Sequence, residues 1–310
     1  SGSLRSIPIT SAPIKGVTGS ISKLSFIFYY PVFKILNLVY LIIKCLSVLV
    51  FSKSELMKKL FSVDDRVVLI TGASRGIGFA MAEALAEYGA HVILNARDEN
   101  ALREKVRALK KRNLKATYQV FDVTDFEAGK NALQRIVEEF GHLYGLVNNA
   151  GIQFRSPILD FSNENFELVL RTNLTSCFSL SREAIRLMKN NGGGRIINTV
   201  SMLGPQARPT VPAYISAKEG LRALTRALAV EVGADGILVN AIAPGYIATE
   251  LNTALLEDQE FSEWVISKTP LARWGQPHEL GGGAVFLMSE AGSFVNGQVL
   301  SIDGGMSIQV

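Results

Sequence analysis

Tyr214 and Lys218, in the stretch AYISAK, stand four positions apart. On a helix this spacing sets both side chains on one face. A phenol with a pKa of about 10 is a poor base at neutral pH. An ammonium beside it favours the phenolate and lowers that value. The chemistry such a pair serves is the exchange of a proton with an alcohol oxygen while a hydride leaves the neighbouring carbon. Long helices carry such pairs by chance, so the pair acquires meaning only if a hydride carrier can bind nearby.

A second stretch supplies that possibility. TGASRGIG, residues 71–78, follows the apolar run RVVLIT and precedes a helical pattern. Gly72 suits a tight turn, Gly76 lets the backbone approach a pyrophosphate, and Gly78 permits close helix–strand packing. The helix start adds unpaired N–H groups and partial positive charge. A glycine-rich run alone is a weak signal; its place between strand and helix points to dinucleotide binding.

The elements needed to hold these groups can be read along the chain. Short apolar runs at 66–71, 91–96, 116–121, 143–148, 194–200, 237–243 and 297–303 read as strands. Helical patterns follow the glycine loop through Tyr88 and cover 98–113, 125–140, about 164–190 and Pro212 to Gly233. Buried strands alternating with helices predict a doubly wound, Rossmann-like α/β fold, with a parallel sheet of about seven strands covered on both faces. Residues 250–268, with Trp264, are expected to form a helical flap.

The spacing Gly-x-x-x-Gly-x-Gly, NNAG at 148–151, Asn173, Ser201 thirteen residues before Tyr214, YISAK and PGYIAT at 244–249 occur in order. From about Val63 onward the chain thereby resembles the short-chain dehydrogenase/reductase family. The resemblance implies Tyr214 as acid/base, Lys218 as its pKa modulator and ribose ligand, and Ser201 as a hydrogen-bond partner of the substrate oxygen. It also implies that Asn173 holds a water relaying protons from Lys218. Cofactor contacts are implied for Gly72, Ser74, Arg75, Gly76, Ile77 and Gly78, and for Asp122 and Val123 beside the adenine. Asn149, Ala150 and Gly151 would line the groove, as would Pro244, Gly245, Ile247 and Thr249, with Ile247 and Thr249 at the nicotinamide carboxamide. Members preferring NAD carry an Asp at the second strand's tip. Here Ala96 stands there with Arg97 beside it, leaving room and a guanidinium for a 2′-phosphate, with Arg75 as a second charge. NADP(H) is the expected cofactor, and Asp98 is expected to cap the helix that follows.

NNAGIQFRSP, APGYIATELNTAL, KTPLARWGQPHEL and FVNGQVLSIDGG further resemble the family's gluconate 5-dehydrogenase group, which interconverts gluconate and 5-keto-gluconate. The group acting on 2-deoxy- or 3-deoxy-ketogluconates shares SML, APGY and RWG and stays open, as does a 3-oxoacyl carrier-protein reductase. A catalytically silent NADP(H)-binding scaffold would ordinarily lack the Tyr or the Lys. Arg155, four residues beyond Gly151, can clamp a sugar-acid carboxylate or else form a surface salt bridge; Arg208 is a second candidate. The resemblance implies a homotetramer built through the last helices and the C-terminal end.

Composition bounds the remainder. The chain has 310 residues, 48% of them hydrophobic, and a net charge of +4. Residues 1–54 carry Arg5, Lys15, Lys23, Lys34, Lys44 and Lys53 with no acid, leaving −2 for everything after them. The basic balance therefore lies in the tail and offers the main domain no nucleic-acid surface. Two cysteines, Cys45 and Cys177, and three scattered histidines point to a reducing, cytoplasmic setting and no metal site. Residues 1–56 are set apart as a basic hydrophobic tail and 57–310 as the enzyme domain. Residues 24–51 approach the length of a membrane span, yet Lys34, Lys44 and Pro31 interrupt them. A membrane anchor giving membrane association, a targeting segment, and translated sequence upstream of a start at Met57 all stay open.

Overall fold

Val67–Ile70 (β1) are buried at all four positions, and their side chains part company with the period of a strand. Val68 and Ile70 enter one apolar cluster, while Val67 and Leu69 enter another on the opposite face. A strand buried on both faces needs helices above and below it. This chain is a computed structural model that describes residues 59–309, with Val39 as an isolated described position before them. Lys58–Val310 make up one compact unit. The expectations for residues 1–56, including the span at 24–51 and Cys45, lie outside the described residues. Among the described residues no helix is long and apolar enough to cross a membrane.

The other strands are His91–Ala96 (β2), Ala116–Val120 (β3), Gly145–Asn148 (β4), Gly194–Thr199 (β5), Ile237–Pro244 (β6) and Val299–Ile302 (β7). They form one sheet in the order β3-β2-β1-β4-β5-β6-β7, parallel at every pairing. Strand order reverses between β1 and β4, and ligands of open α/β sheets bind beyond the carboxyl ends at such a point.

Gly76–Glu87 (α1) and Glu99–Lys111 (α2) cover one face through Met81, Leu85, Leu102 and Val106. Phe126–Phe140 (α3) and Ser176–Lys189 (α5) cover the other through Leu133, Ile136, Leu180 and Ile185. Each fully buried aliphatic side chain contributes about 1.5–3 kcal/mol. The predicted helix at 164–190 is Asn163–Leu170 (α4) joined to α5 through a π-helical turn, Arg171–Thr175. Pro212–Val232 (α6) runs as expected. The 250–268 segment divides into a 3-10 turn, a short helix Thr253–Leu256 (α7) and Gln259–Lys268 (α8). Gly281–Met288 (α9) closes the first face against α1.

Helix starts differ in a way that matters for the site. Asp98, Asp125, Ser162 and Asp258 each accept a backbone N–H and so cap α2, α3, α4 and α8. Helices α1 and α6 begin at Arg75 and Val211 with no side-chain cap and no acidic residue in the first turn. Their first N–H groups stay available, and both helices open at the carboxyl edge of the sheet.

Candidate active site

The glycine loop between β1 and α1 is shaped by backbone needs. Gly72 and Gly76 have φ of +63° and +55°, which side chains rarely adopt. A Cβ on Gly72 would stand 2.8 Å from the Ala150 Cα, and one on Gly78 would overlap the Asn149 amide and the Gly72 carbonyl. Thr71 ties the two halves together: its Oγ1 accepts the N–H groups of Asn149 and Ala150 at 2.9 and 3.0 Å. Asn149 Nδ2 donates back to the carbonyls of Thr71 and Gly72 at 3.0 and 3.2 Å. Ser74, Arg75 and Ile77 follow the loop into the uncapped start of α1, while Gly151 lies beyond, close against the Asn173 amide. This cradle leaves a concave run of backbone at a positive helix end, and the residues present fit a dinucleotide diphosphate.

At the adenosine end Arg97 leaves the tip of β2, where its guanidinium pairs with Asp122 at 3.6 Å, both side chains exposed. Two expected cofactor contacts are thus partners of each other. Asp122 also accepts the N–H and hydroxyl of Thr124, at 2.8 and 2.7 Å. Burial raises its carboxyl's pKa, but these bonds and Arg97 outweigh that and hold it below the usual range. Val123, beside it, is buried. Arg75 pairs with Glu250 at 3.6 Å. Exposed pairs of this kind are worth about 1 kcal/mol or less and leave both guanidiniums free to turn to a stronger anion. Pro244 ends β6, and Gly245 N–H donates to the Ile302 carbonyl at 3.0 Å. Ile247 is buried and Thr249 faces Gly76 across the groove.

The chemical end gathers Ser201, Tyr214 and Lys218. Ser201 lies just past β5; its Oγ accepts Leu203 N–H at 3.0 Å, and its hydroxyl is near enough to the Tyr214 phenol to favour the phenolate. Lys218 is 4% exposed, with Nζ 2.6 Å from the Thr199 carbonyl and 5.7 Å from the Tyr214 ring centroid. The expected depression of the Tyr214 pKa is not what this arrangement gives. Burial pushes the phenol up, the nearby Ser201 hydroxyl draws it back, and Tyr246 adds to the rise. Burial likewise lowers the Lys218 ammonium. The uncapped start of α6 works the other way, because Tyr214 sits in its first turn, where the helix dipole favours an anion.

Asn173 is in the π-helical turn, fully buried. Its side-chain amide is paired twice with the Ile152 backbone, at 2.8 Å each way. Each end of the amide thus spends one hydrogen bond on Ile152 and keeps one lone pair and one N–H. The Asn173 backbone carbonyl is approached by the Cys177 thiol at 3.5 Å. Burial raises the Cys177 thiol's pKa.

Arg155 projects from the loop after β4, exposed and without an ion pair among the described residues, which removes the salt-bridge alternative within them. Ser156 N–H donates to the Thr210 carbonyl at 3.0 Å, so this loop lies against the loop that carries Arg208. A cavity of about 490 Å³ opens beside Ser201, lined by Met202, Arg208, Tyr246, Phe261, Trp264 and Met306 among others.

Two positions that the sequence reading passed over support this site. Thr71 joins the glycine loop to β4. Arg222 donates to the Ser201 carbonyl at 2.9 Å and pairs with Glu219 at 2.8 Å. The signal for Arg222 was present: Tyr214, Lys218 and Arg222 recur at helical spacing on one face.

Known proteins resemble this arrangement. The family described as enoyl-(acyl carrier protein) reductase matches residues 72–307. Gluconate 5-dehydrogenase of Gluconobacter oxydans is 42% identical over 251 residues, covering 81% of this chain and 98% of that protein. The 2-dehydro-3-deoxy-D-gluconate 5-dehydrogenase of Dickeya dadantii is 40% identical over 247 residues, covering 79% and 96%. A crystal structure of gluconate 5-dehydrogenase from Burkholderia cenocepacia, in complex with NADP and tartrate, is 40% identical. It superposes with a TM-score of 0.80 over 82% of this chain and 100% of that one. With this similarity running from the glycine loop to the last strand, the chain belongs to the short-chain dehydrogenase/reductase family of oxidoreductases.

Proposed function

We propose that this protein transfers hydride between NADP(H) and a sugar acid, oxidising the C5 hydroxyl of D-gluconate and reducing 5-keto-D-gluconate. The observation that carries the reading is the Ser201, Tyr214 and Lys218 cluster, with a cavity beside it that starts at Met202 and is lined by Arg208, a guanidinium with no carboxylate partner among the described residues. The named activities of the relatives, and the NADP and tartrate of the Burkholderia cenocepacia complex, support it.

When bound, NADP(H) accepts or supplies the hydride. The protein's residues handle the rest. The uncapped start of α1 and the backbone of Gly72–Gly78 would hold the diphosphate, and Arg97 would turn from Asp122 to the 2′-phosphate. In oxidation, Ser201 holds the substrate oxygen and the Tyr214 phenolate takes its proton. Lys218 supports that phenolate by charge and binds the ribose, and protons reach solvent past the Asn173 carbonyl. Reduction reverses the transfers. A phenol raised by burial in the free protein needs the positive charge that accompanies the oxidised cofactor before it becomes an effective base.

Oxidation of 2-dehydro-3-deoxy-D-gluconate is the second reading, supported by the Dickeya dadantii relative at nearly equal identity. Steady-state assays with D-gluconate, 5-keto-D-gluconate, 2-dehydro-3-deoxy-D-gluconate and a 3-oxoacyl thioester, each with both nicotinamide cofactors, separate the readings. The gluconate pair with NADP(H) is expected to give the highest kcat/KM; turnover of the thioester alone contradicts the proposal. A cytoplasmic homotetramer completes it. Exposed Phe294 and Ile308 near the C-terminal end suit subunit contact, which sedimentation checks.

A further inference from the structure

Arg208 stands in the loop between β5 and α6. Its Nη1 donates to the Tyr246 hydroxyl at 3.2 Å, and its guanidinium lies 4.5 Å from the centroid of the Phe261 ring. Both neighbours are neutral. Arg208 has no ion pair among the described residues, although the same structure pairs Arg273 with Glu279 and Arg222 with Glu219 nearby in sequence. A guanidinium has five N–H donors in a planar fork, and one bond to a phenol leaves most of them for a ligand.

Arg208 does not act alone. The hydrogen bond from Ser156 N–H to the Thr210 carbonyl brings the Arg155 loop onto the Arg208 loop. Arg208 lines the cavity, the exposed Arg155 belongs to the loop beside it, and neither has an ion pair among the described residues. That arrangement opposes itself electrostatically until an anion enters. Arg155, although exposed, is partly desolvated, which lowers its pKa first, and the Arg208 charge lowers it further. A cluster held in this state by aromatic packing suits a small carboxylate.

We propose that Arg208 is a specificity-determining residue, forming with Arg155 a two-guanidinium seat for the carboxylate of a hydroxy-acid substrate. Phe261 belongs to α8, and Tyr246 packs edge-on to Phe261, Trp264 and Trp274 at 5.6, 6.0 and 5.6 Å. The seat is thereby tied to the helical cover of the cavity, so an anion on Arg208 meets a surface that α8 helps to orient. The proposal deepens the sugar-acid reading above and rests on it for the substrate's class.

The test uses the full chain with NADP⁺ bound. Arg208→Gln and Arg208→Lys are compared with the unaltered protein in two measurements. The first is kcat and KM for D-gluconate against D-glucitol, its neutral counterpart. The second is binding of sodium tartrate, followed by the fluorescence of Trp264 in the cavity wall. Arg208→Gln is expected to raise the KM for gluconate and the Kd for tartrate about tenfold, with kcat shifted much less. Its loss on gluconate should exceed its loss on D-glucitol by about an order of magnitude, and Arg208→Lys should recover part of it. Equal losses on charged and neutral substrates, or unchanged tartrate binding in both variants, overturn the proposal. If the unaltered protein fails to oxidise gluconate yet its tartrate affinity falls in Arg208→Gln, the carboxylate seat stands and the gluconate reading fails.

Discussion

The two ends of the cleft are built by different means. At the phosphate end, the work falls to backbone: two glycines at positive φ, an uncapped helix start and a threonine hydroxyl that joins adjacent strands. At the substrate end, side chains from three separated segments meet, Arg208 before α6, Tyr246 after β6 and Phe261 on α8, with the Arg155 loop lying against the Arg208 loop. Backbone N–H groups recognise what all dinucleotides share, whereas guanidiniums and aromatic rings select one substrate among many. A backbone site tolerates little change. A side-chain site can be retuned one residue at a time.

The chemical centre lies between the two and should show the largest effect. Tyr214→Phe removes the transferable proton while keeping the ring, so kcat should fall by about 10²–10⁴-fold with NADPH affinity nearly unchanged. Oxidation by the unaltered protein should weaken as pH falls through the Tyr214 pKa, since only the phenolate accepts the proton. That ionisation should vanish from the residual rate of the Phe variant. Stopped-flow turnover and fluorescence titration of NADPH measure both.

A backbone-made phosphate site should not bear a side chain. Gly72→Ala demands a left-handed conformation costing about 1–2 kcal/mol and drives a Cβ to 2.8 Å from the Ala150 Cα. The NADPH Kd should rise about tenfold and Tm should fall; unaltered values for both would show that the loop relaxes freely. Arg97→Ala touches an exposed side chain, so its effect should be smaller. About a fivefold loss for NADPH with NADH spared is expected, because the exposed guanidinium works in screened solvent. Equal weakening of the two cofactors would remove Arg97 as the selector. Deleting residues 1–56 should change kcat/KM least of all, as every site position named above lies beyond Val63; loss of folding or activity on truncation contradicts the separate-tail expectation.

Legibility followed the same division. The glycine loop, the alternation of strands and helices, and the Tyr214–Lys218 pair are local patterns, readable within a few residues. Asn173 was readable as a position but not as a geometry. Its amide pairs with the backbone of Ile152, 21 residues away, and nothing in RTNLT announces a π-helical turn. The Arg97–Asp122 pair likewise joins residues brought together only by β2 and β3 lying side by side. Helix α9 begins with three glycines, poor helix formers, and was passed over. Its first glycine is small because α9 packs so closely on α1 that a Cβ there would reach 2.6 Å from the Ala84 Cβ. The Tyr214 pKa was read from its charged neighbour alone, whereas burial by the surrounding fold is the larger influence.

The central claim, hydride transfer between a sugar acid and NADP(H) at Tyr214, is tested most directly with D-gluconate carrying deuterium at C5. Incubated with NADP⁺ and the full chain, it should yield NADPH one mass unit heavier together with 5-keto-D-gluconate. Neither product should form with the Tyr214→Phe variant at a comparable rate. Unlabelled NADPH would place the oxidation at another carbon. Absence of NADPH under conditions where the cofactor binds would contradict the assignment itself.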